Sequence, residues 1–209
     1  MLIDQYLQDC DATEVQEVQV NAEADVTWAA IRETDLRDPM IDALFTIREL
    51  PDRLARRWRG EAPRGGHESL TFKDLENSEV GWVLLAEKPG VELLVGAVGR
   101  FWQRDYGWHP VAPEQFMAFD LPGYAKLAIS FRVRAEGAGR SILRYEARTA
   151  TTDVAAREKF SRYWRIIHPG VSIVMRRALK RIRDEAERRQ AAVVGVGGRS
   201  VGPSVGRSV

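Results

Sequence analysis

A chain of 209 residues, 44% hydrophobic and 29% charged, has the composition of a globular protein and the length of one large domain. Lysine and arginine total 31 against 30 aspartates and glutamates, so the basic excess of a nucleic-acid-binding protein is missing. A single cysteine, Cys10, excludes an intrachain disulfide framework and an all-cysteine metal site, and His67, His109 and His168 show no HxH or HxxxH spacing. No metal and no cofactor is read from the sequence.

The opening residues, MLIDQYLQDCDATEVQ, have neither the basic n-region nor the apolar h-region of a secretory signal. No apolar run approaches the ~20 residues that a membrane span needs. The expectation is a cytoplasmic protein without a membrane span. The segment TEVQEVQVNA alternates imperfectly, with Val15, Val18 and Val20 as its apolar members, and predicts a first strand. EADVTWAAIRETDLRD follows at helical spacing until Asp38-Pro39, and PMIDALFTIREL predicts a second short helix. RELPDRLARRWRG then gathers Arg48, Arg53, Arg56, Arg57 and Arg59 around Trp58. It reads as a solvated charged segment, or as a contact for an anionic partner.

From Ser69 to Thr149 the period becomes two. Strands are predicted at LTFKDLE, GWVLLAEKPG, VELLVGAVGRFWQ, EQFMAFDLPG, YAKLAISFRVRAEGAG and RSILRYEARTATTD, divided by Pro-Gly and Gly-Ala-Gly turn signals. With no helix between them they predict a continuous antiparallel sheet. The apolar parity in these strands (Val95, Ala97, Phe101, Leu127, Ile129, Tyr145) faces a core, while Glu92, Arg100, Lys126, Glu146 and Arg148 share the other, wetter parity. Gly96 and Gly99 match neither a dinucleotide fingerprint nor a P-loop. They read as points where the strand bends, bulges or is closely approached. A bulge there would reverse the faces and turn Arg100 and Trp102 inward as polar contacts. His109 reads as a loop residue.

Thr152 or Asp153 can cap a final long helix whose apolar stripe runs Phe160, Trp164, Ile167, Val171, Val174, Ala178 and Ile182, with a kink or break expected at Pro169-Gly170. Trp164, on the face the sheet encloses, is expected to be among the most costly residues to truncate. Domain boundaries are set at 1–190, with 191–209, rich in glycine, serine and valine, as a disordered tail.

The order of these elements resembles the START-like superfamily, also called SRPBCC or helix-grip, over roughly Glu14 to Gln190. VGAVGRFWQ, FDLPGYAK and YEARTATTD…FSRYWRIIHPG are similar to segments of its bacterial members. The resemblance implies an α+β fold: a strand, two short helices, and a curved antiparallel sheet wrapped around the C-terminal helix. It also implies an apolar cavity between sheet and helix. The expected ligand is a small hydrophobic molecule, held by Val95, Ala97, Phe101, Leu127, Ile129, Tyr145, Trp164 and Val171. Arg100, Trp102 and Arg148 are the candidate polar contacts. Two alternatives stay open: a cyclase/dehydratase-like enzyme, for which Tyr145, Arg148 and Glu146 are the nearby acid–base candidates, and an interaction module with a vestigial cavity.

Overall fold

The computed structural model describes residues 1–34, 81–103 and 105–197, with side chains to 193. The second short helix, the LTFKDLE strand, the Arg48–Arg59 cluster, His67 and most of the tail lie outside these residues. The elements in chain order are α1 (Leu2–Tyr6), β1 (Ala12–Val20), α2 (Ala24–Glu33), β2 (Trp82–Lys88), β3 (Glu92–Gly99), α3 (Pro113–Phe116), β4 (Ala125–Ala135), β5 (Ser141–Thr151) and α4 (Val154–Gly197). All strand pairs are antiparallel, in the order β1-β5-β4-β3-β2. This open sheet with a long C-terminal helix packed on one face is the α+β, helix-grip architecture expected from the sequence.

Alternation in β4 and β5 decides which face meets the helix. Phe131 and Val133 of β4 and Leu143 and Tyr145 of β5 point inward with Leu93 and Val95 of β3. Against them pack Met175, Ala178, Leu179, Ile182 and Ala186 of α4 and Ala30 and Ile31 of α2. Thr27 and Ser141, both fully buried, answer each other's hydroxyls at 2.8 Å beneath α2.

The outer face is not the mostly wet surface expected. Every residue of β3 is buried. Leu94 and Val98 lie under Ile3 and Leu7 of the α1 segment and under Phe116 of α3. α3 also corrects the strand read at EQFMAFDLPG. Pro113 pre-sets the first helical turn, and Phe116 and Phe119, three apart, lie on the same side against the outer cluster.

The two glycines of β3 serve close approach. A Cβ on Gly96 would lie 2.6 Å from Leu85 Cδ1 and 2.9 Å from the Phe116 ring. The irregularity in pairing falls across the sheet instead, on β2 between Leu84 and Ala86, while β3 pairs with β4 without interruption from Glu92 to Gly99. Leu85, the extra residue of that bulge, is the one that packs over Gly96. Gly99 lets the Tyr106 carbonyl come to 2.7 Å of where a Cβ would sit. The strand ends there, and the Arg100 amide donates to that carbonyl at 2.6 Å. The segment RFWQ is therefore a tight turn and not a continuation of the strand.

Asp153 caps α4. Its Oδ1 accepts the Ala156 amide at 2.8 Å and its Oδ2 accepts from Gly123, and these two bonds hold its carboxyl below the usual range. The helix runs unbroken through Pro169 and past Gln190 to Gly197. Ala191, Ala192 and Val193 extend it because alanine costs a helix nothing and a solvated turn needs no core.

Candidate functional site

The register lays the inner face out as transverse rows. One row runs Gln16, Tyr145, Phe131, Leu93 and Glu87; the next runs Glu14, Ala147, Ile129, Val95 and Leu84; the third runs Ala12, Thr149, Leu127, Ala97 and Trp82. The first lies in the core beneath the C-terminal half of α4: Tyr145, Phe131 and Leu93 are 8%, 3% and 2% exposed. In the second and third rows Ala147, Ile129, Leu127, Leu84 and Trp82 all remain partly accessible. Ile129 and Leu127 belong to the central strand, which is paired on both sides, so access to them comes only through the inner face. The strip they form is roughly 10 Å across three strands and 7 Å along them.

Opposite the strip lies the N-terminal half of α4. Tyr163 packs with Ala97, Phe101, Ala125 and Leu127. Trp82, Trp102, Tyr106 and Trp108 join the same cluster and close that end of the sheet with aromatic surface. Trp108 stacks on Tyr106 at 5.2 Å and meets Phe101 edge-on at 5.9 Å. Val171 packs on the inner core. Trp164 is half-buried, stacked on Phe160 at 5.7 Å and tilted against His168 at 5.1 Å.

The β1 end of the strip is polar. Glu14 Oε1 accepts from Ser172 Oγ at 2.6 Å and from Gln16 Nε2 at 3.2 Å, and Oε2 meets His168 Nε2 at 2.7 Å. Burial pushes the Glu14 carboxyl up, but the bonds from Ser172, His168 and Gln16 outweigh it and hold the group below its ordinary value. The carboxylate is therefore ionised at neutral pH, and the bonded imidazole nitrogen carries the proton. His168 and Ser172 flank Pro169-Gly170, and Gln16 Nε2 also donates to the Ser172 carbonyl at 3.1 Å. This clamp ties α4 to β1 across the turn where proline removes a helical hydrogen bond.

Of the residues expected to hold a ligand, Val95, Ala97, Leu127 and Ile129 lie on or beneath the strip, Phe101 at its aromatic end, and Trp164 and Val171 on the helix opposite. Tyr145 is core: it stacks on Phe131 at 4.5 Å, and burial drives its phenol far above the usual range. The three polar contacts separate. Trp102 joins the aromatic end without any bulge in β3. Arg100, beyond the strand end, lies over the Tyr124 ring at 4.3 Å. Arg148 is on the outer face with Glu146, so neither reaches the strip. Glu146 accepts from Arg144 at 2.8 Å and from Arg148 at 2.7 Å; Arg148 in turn donates to Asp4 at 2.7 Å and to the Leu7 carbonyl at 3.1 Å. Glu92, also buried there, accepts from Ser130 at 2.8 Å and from the Leu2 amide at 2.9 Å. Their parity was as expected; α1 is what removes them from water.

Glu14, Gln16, His168 and Ser172 were not singled out from the sequence. The available signal was the imperfect alternation of β1, where Glu14 and Gln16 occupy the inward parity of Val18 and Val20 while Val15 points outward, 38% exposed.

A groove of about 590 Å³ opens where the end of α2 meets α4, lined by Glu33, Thr34, Arg177, Lys180, Arg181, Asp184, Glu185 and Arg188. Its charges answer one another, as in Lys180–Asp184 and in Arg188–Glu185 at 2.6 Å, which makes it a solvated ion-pair surface. Among the described residues no cluster of three or more histidine, cysteine or acidic side chains is placed to hold a metal, and no helix is long and apolar enough to cross a membrane.

No protein-family model matches the chain, and no curated protein does. Among solved structures it is similar to a protein from Mesorhizobium loti, with 16% identity, 85% of this chain and 98% of that one covered, and a TM-score of 0.38. It is also similar to CalU16 from Micromonospora echinospora, with 15% identity, 88% of each chain covered and a TM-score of 0.28. A third is the Zhui aromatase/cyclase from a Streptomyces species, with 15% identity, 85% and 94% covered and a TM-score of 0.30. Likenesses this distant say nothing of function.

Proposed function

We propose that the chain binds a small, mostly apolar molecule in a cleft between the inner-face strip and the N-terminal half of α4, as a cytoplasmic binding protein. The observation that carries this reading is the partial accessibility of Leu127 and Ile129. Apolar side chains in the middle of a sheet, opposite a helix, are ordinarily sealed as Phe131 and Val133 are in the same strand. Aromatic and aliphatic walls with a few polar groups at one end are the usual make-up of a small-molecule site. Ile129→Trp fills the floor without adding charge. It should abolish binding of an environment-sensitive naphthalene dye, at least tenfold in Kd, while the folded spectrum and Tm are retained. Unchanged dye binding by the folded variant overturns the reading.

The Glu14–His168 pair favours a second reading, a cyclase- or dehydratase-like enzyme. Glu14 fixes the tautomer of His168 with the proton on Nε2, which makes Nδ1 the basic nitrogen. In that case His168→Gln would remove turnover and leave ligand affinity nearly unchanged. Tyr145, Glu146 and Arg148 take no part in it, being core or outer-face residues.

A further inference from the structure

The inner face of the described strands carries two charged side chains, and they differ in how they are satisfied. Glu87, in the covered row, is ion-paired with Arg32 of α2. Glu14, in the accessible row, is held by two uncharged donors and one imidazole. A carboxylate has about four acceptor positions. Oε1 uses two, for Ser172 and Gln16, whereas Oε2 uses one, for His168. Among the described residues nothing else meets Oε2, which leaves one position at the end of a row whose other members, Ala147, Ile129, Val95 and Leu84, are all apolar. The group is 16% exposed, and its neighbours along the row, Ala147 and Ile129, are themselves partly accessible.

Resting on the binding reading above, we infer that Glu14 selects the ligand: the site takes an apolar skeleton of about two fused rings that carries a hydrogen-bond donor, a hydroxyl or N–H, at the end toward β1. The ligand's donor completes the Oε2 shell while its rings cover Ile129 and Leu127. An ionised acceptor in a low-dielectric cleft discriminates, because an analogue without the donor leaves its last acceptor position desolvated and unfilled. Ser172 and Gln16 act as positioning residues. They hold the carboxylate in place from the helix and from the strand.

The matched probes are 2-naphthol and 2-methoxynaphthalene, which share a skeleton and an oxygen and differ in the donor. Titration calorimetry on the full chain at neutral pH should show 2-naphthol binding at least tenfold more tightly. In Glu14→Gln, with Tm and far-ultraviolet spectrum checked, the preference should fall below threefold, because 2-methoxynaphthalene no longer covers an unfilled charge and 2-naphthol no longer meets one. Should Glu14→Gln fail to fold, Ser172→Ala, which frees an Oε1 position without removing the charge, should widen the preference, because the less satisfied carboxylate gains more from the 2-naphthol donor; an unchanged preference overturns the inference. Equal binding of both probes to wild type overturns the inference and leaves the cleft intact. So does a preference that survives Glu14→Gln. Binding of neither probe, together with loss of the dye response, removes the cleft itself.

Discussion

At the scale of single residues, Glu14 shows how a polar side chain on an otherwise apolar face is tolerated. Three hydrogen bonds replace the water it loses, and their sum lowers its pKa despite burial. The folded protein therefore binds this proton less readily than the unfolded chain. Its contribution to stability is complete above the ordinary value of 4.5 and is lost as pH falls through the lowered one. Wild type should exceed Glu14→Gln in denaturant midpoint at neutral pH, and the gap should begin to shrink below about pH 4.5 and close once the pH has fallen past the lowered value. A gap independent of pH would mean that shape, and not charge, holds α4 to β1. The position was legible only in part. Parity put Glu14 on the inward side with Gln16, but its other partners, His168 and Ser172, lie on α4, more than 150 residues away, and single-strand periodicity holds no information about them.

At the scale of the element, α4 divides into two halves. From Met175 onward it buries Met175, Ala178, Leu179, Ile182 and Ala186 to 4% exposure or less, whereas in the N-terminal half Ala156 and Phe160 are buried but Trp164, Ile167 and Val171 are only half-buried and Ile166 is 80% exposed. The stripe read from spacing is real, but periodicity reports which face a residue shares and not how deeply the sheet covers it. Trp164 is accordingly not the anchor expected. Ile182→Ala, at a fully buried site, should cost about 2–5 kcal/mol in urea unfolding, and Trp164→Ala distinctly less. The reverse order would place the centre of the core under the wrong half of the helix. The α3 region was misread for a related reason. A four-residue helix is shorter than the window in which a period of 3.6 separates from one of two.

For the molecule as a whole, the last ties between α4 and the rest of the described chain are the Arg189–Glu33 pair at 2.7 Å and the Glu23 amide donating to Gln190 at 3.1 Å; Ala191, Ala192 and Val193 are exposed. Truncation after Gln190 should leave Tm within error by calorimetry, while truncation after Arg188 should lower it measurably. If the first truncation already lowers Tm, residues beyond Gln190 belong to the domain. Fold class was legible because alternation, turn residues and the final helical stripe all agree. The outer layer was not, because α1 and α3 are short and announce themselves only by what they cover. The network under α1 also bears on how such a sequence can drift. Removing Glu146 leaves two guanidinium groups without their shared buried partner, and removing either arginine leaves a carboxylate that is 2% exposed with one guanidinium in place of two; each single step is costly, although a coordinated exchange for apolar groups need not be. The floor of the strip has no such interdependence. Leu127, Ile129 and Ala147 can be exchanged one at a time for neighbours in size. On the binding reading proposed above, random substitution should therefore reshape what a cleft there admits long before it rebuilds the side that supports it, which makes the inner face the place to begin a library that tests for altered ligand preference.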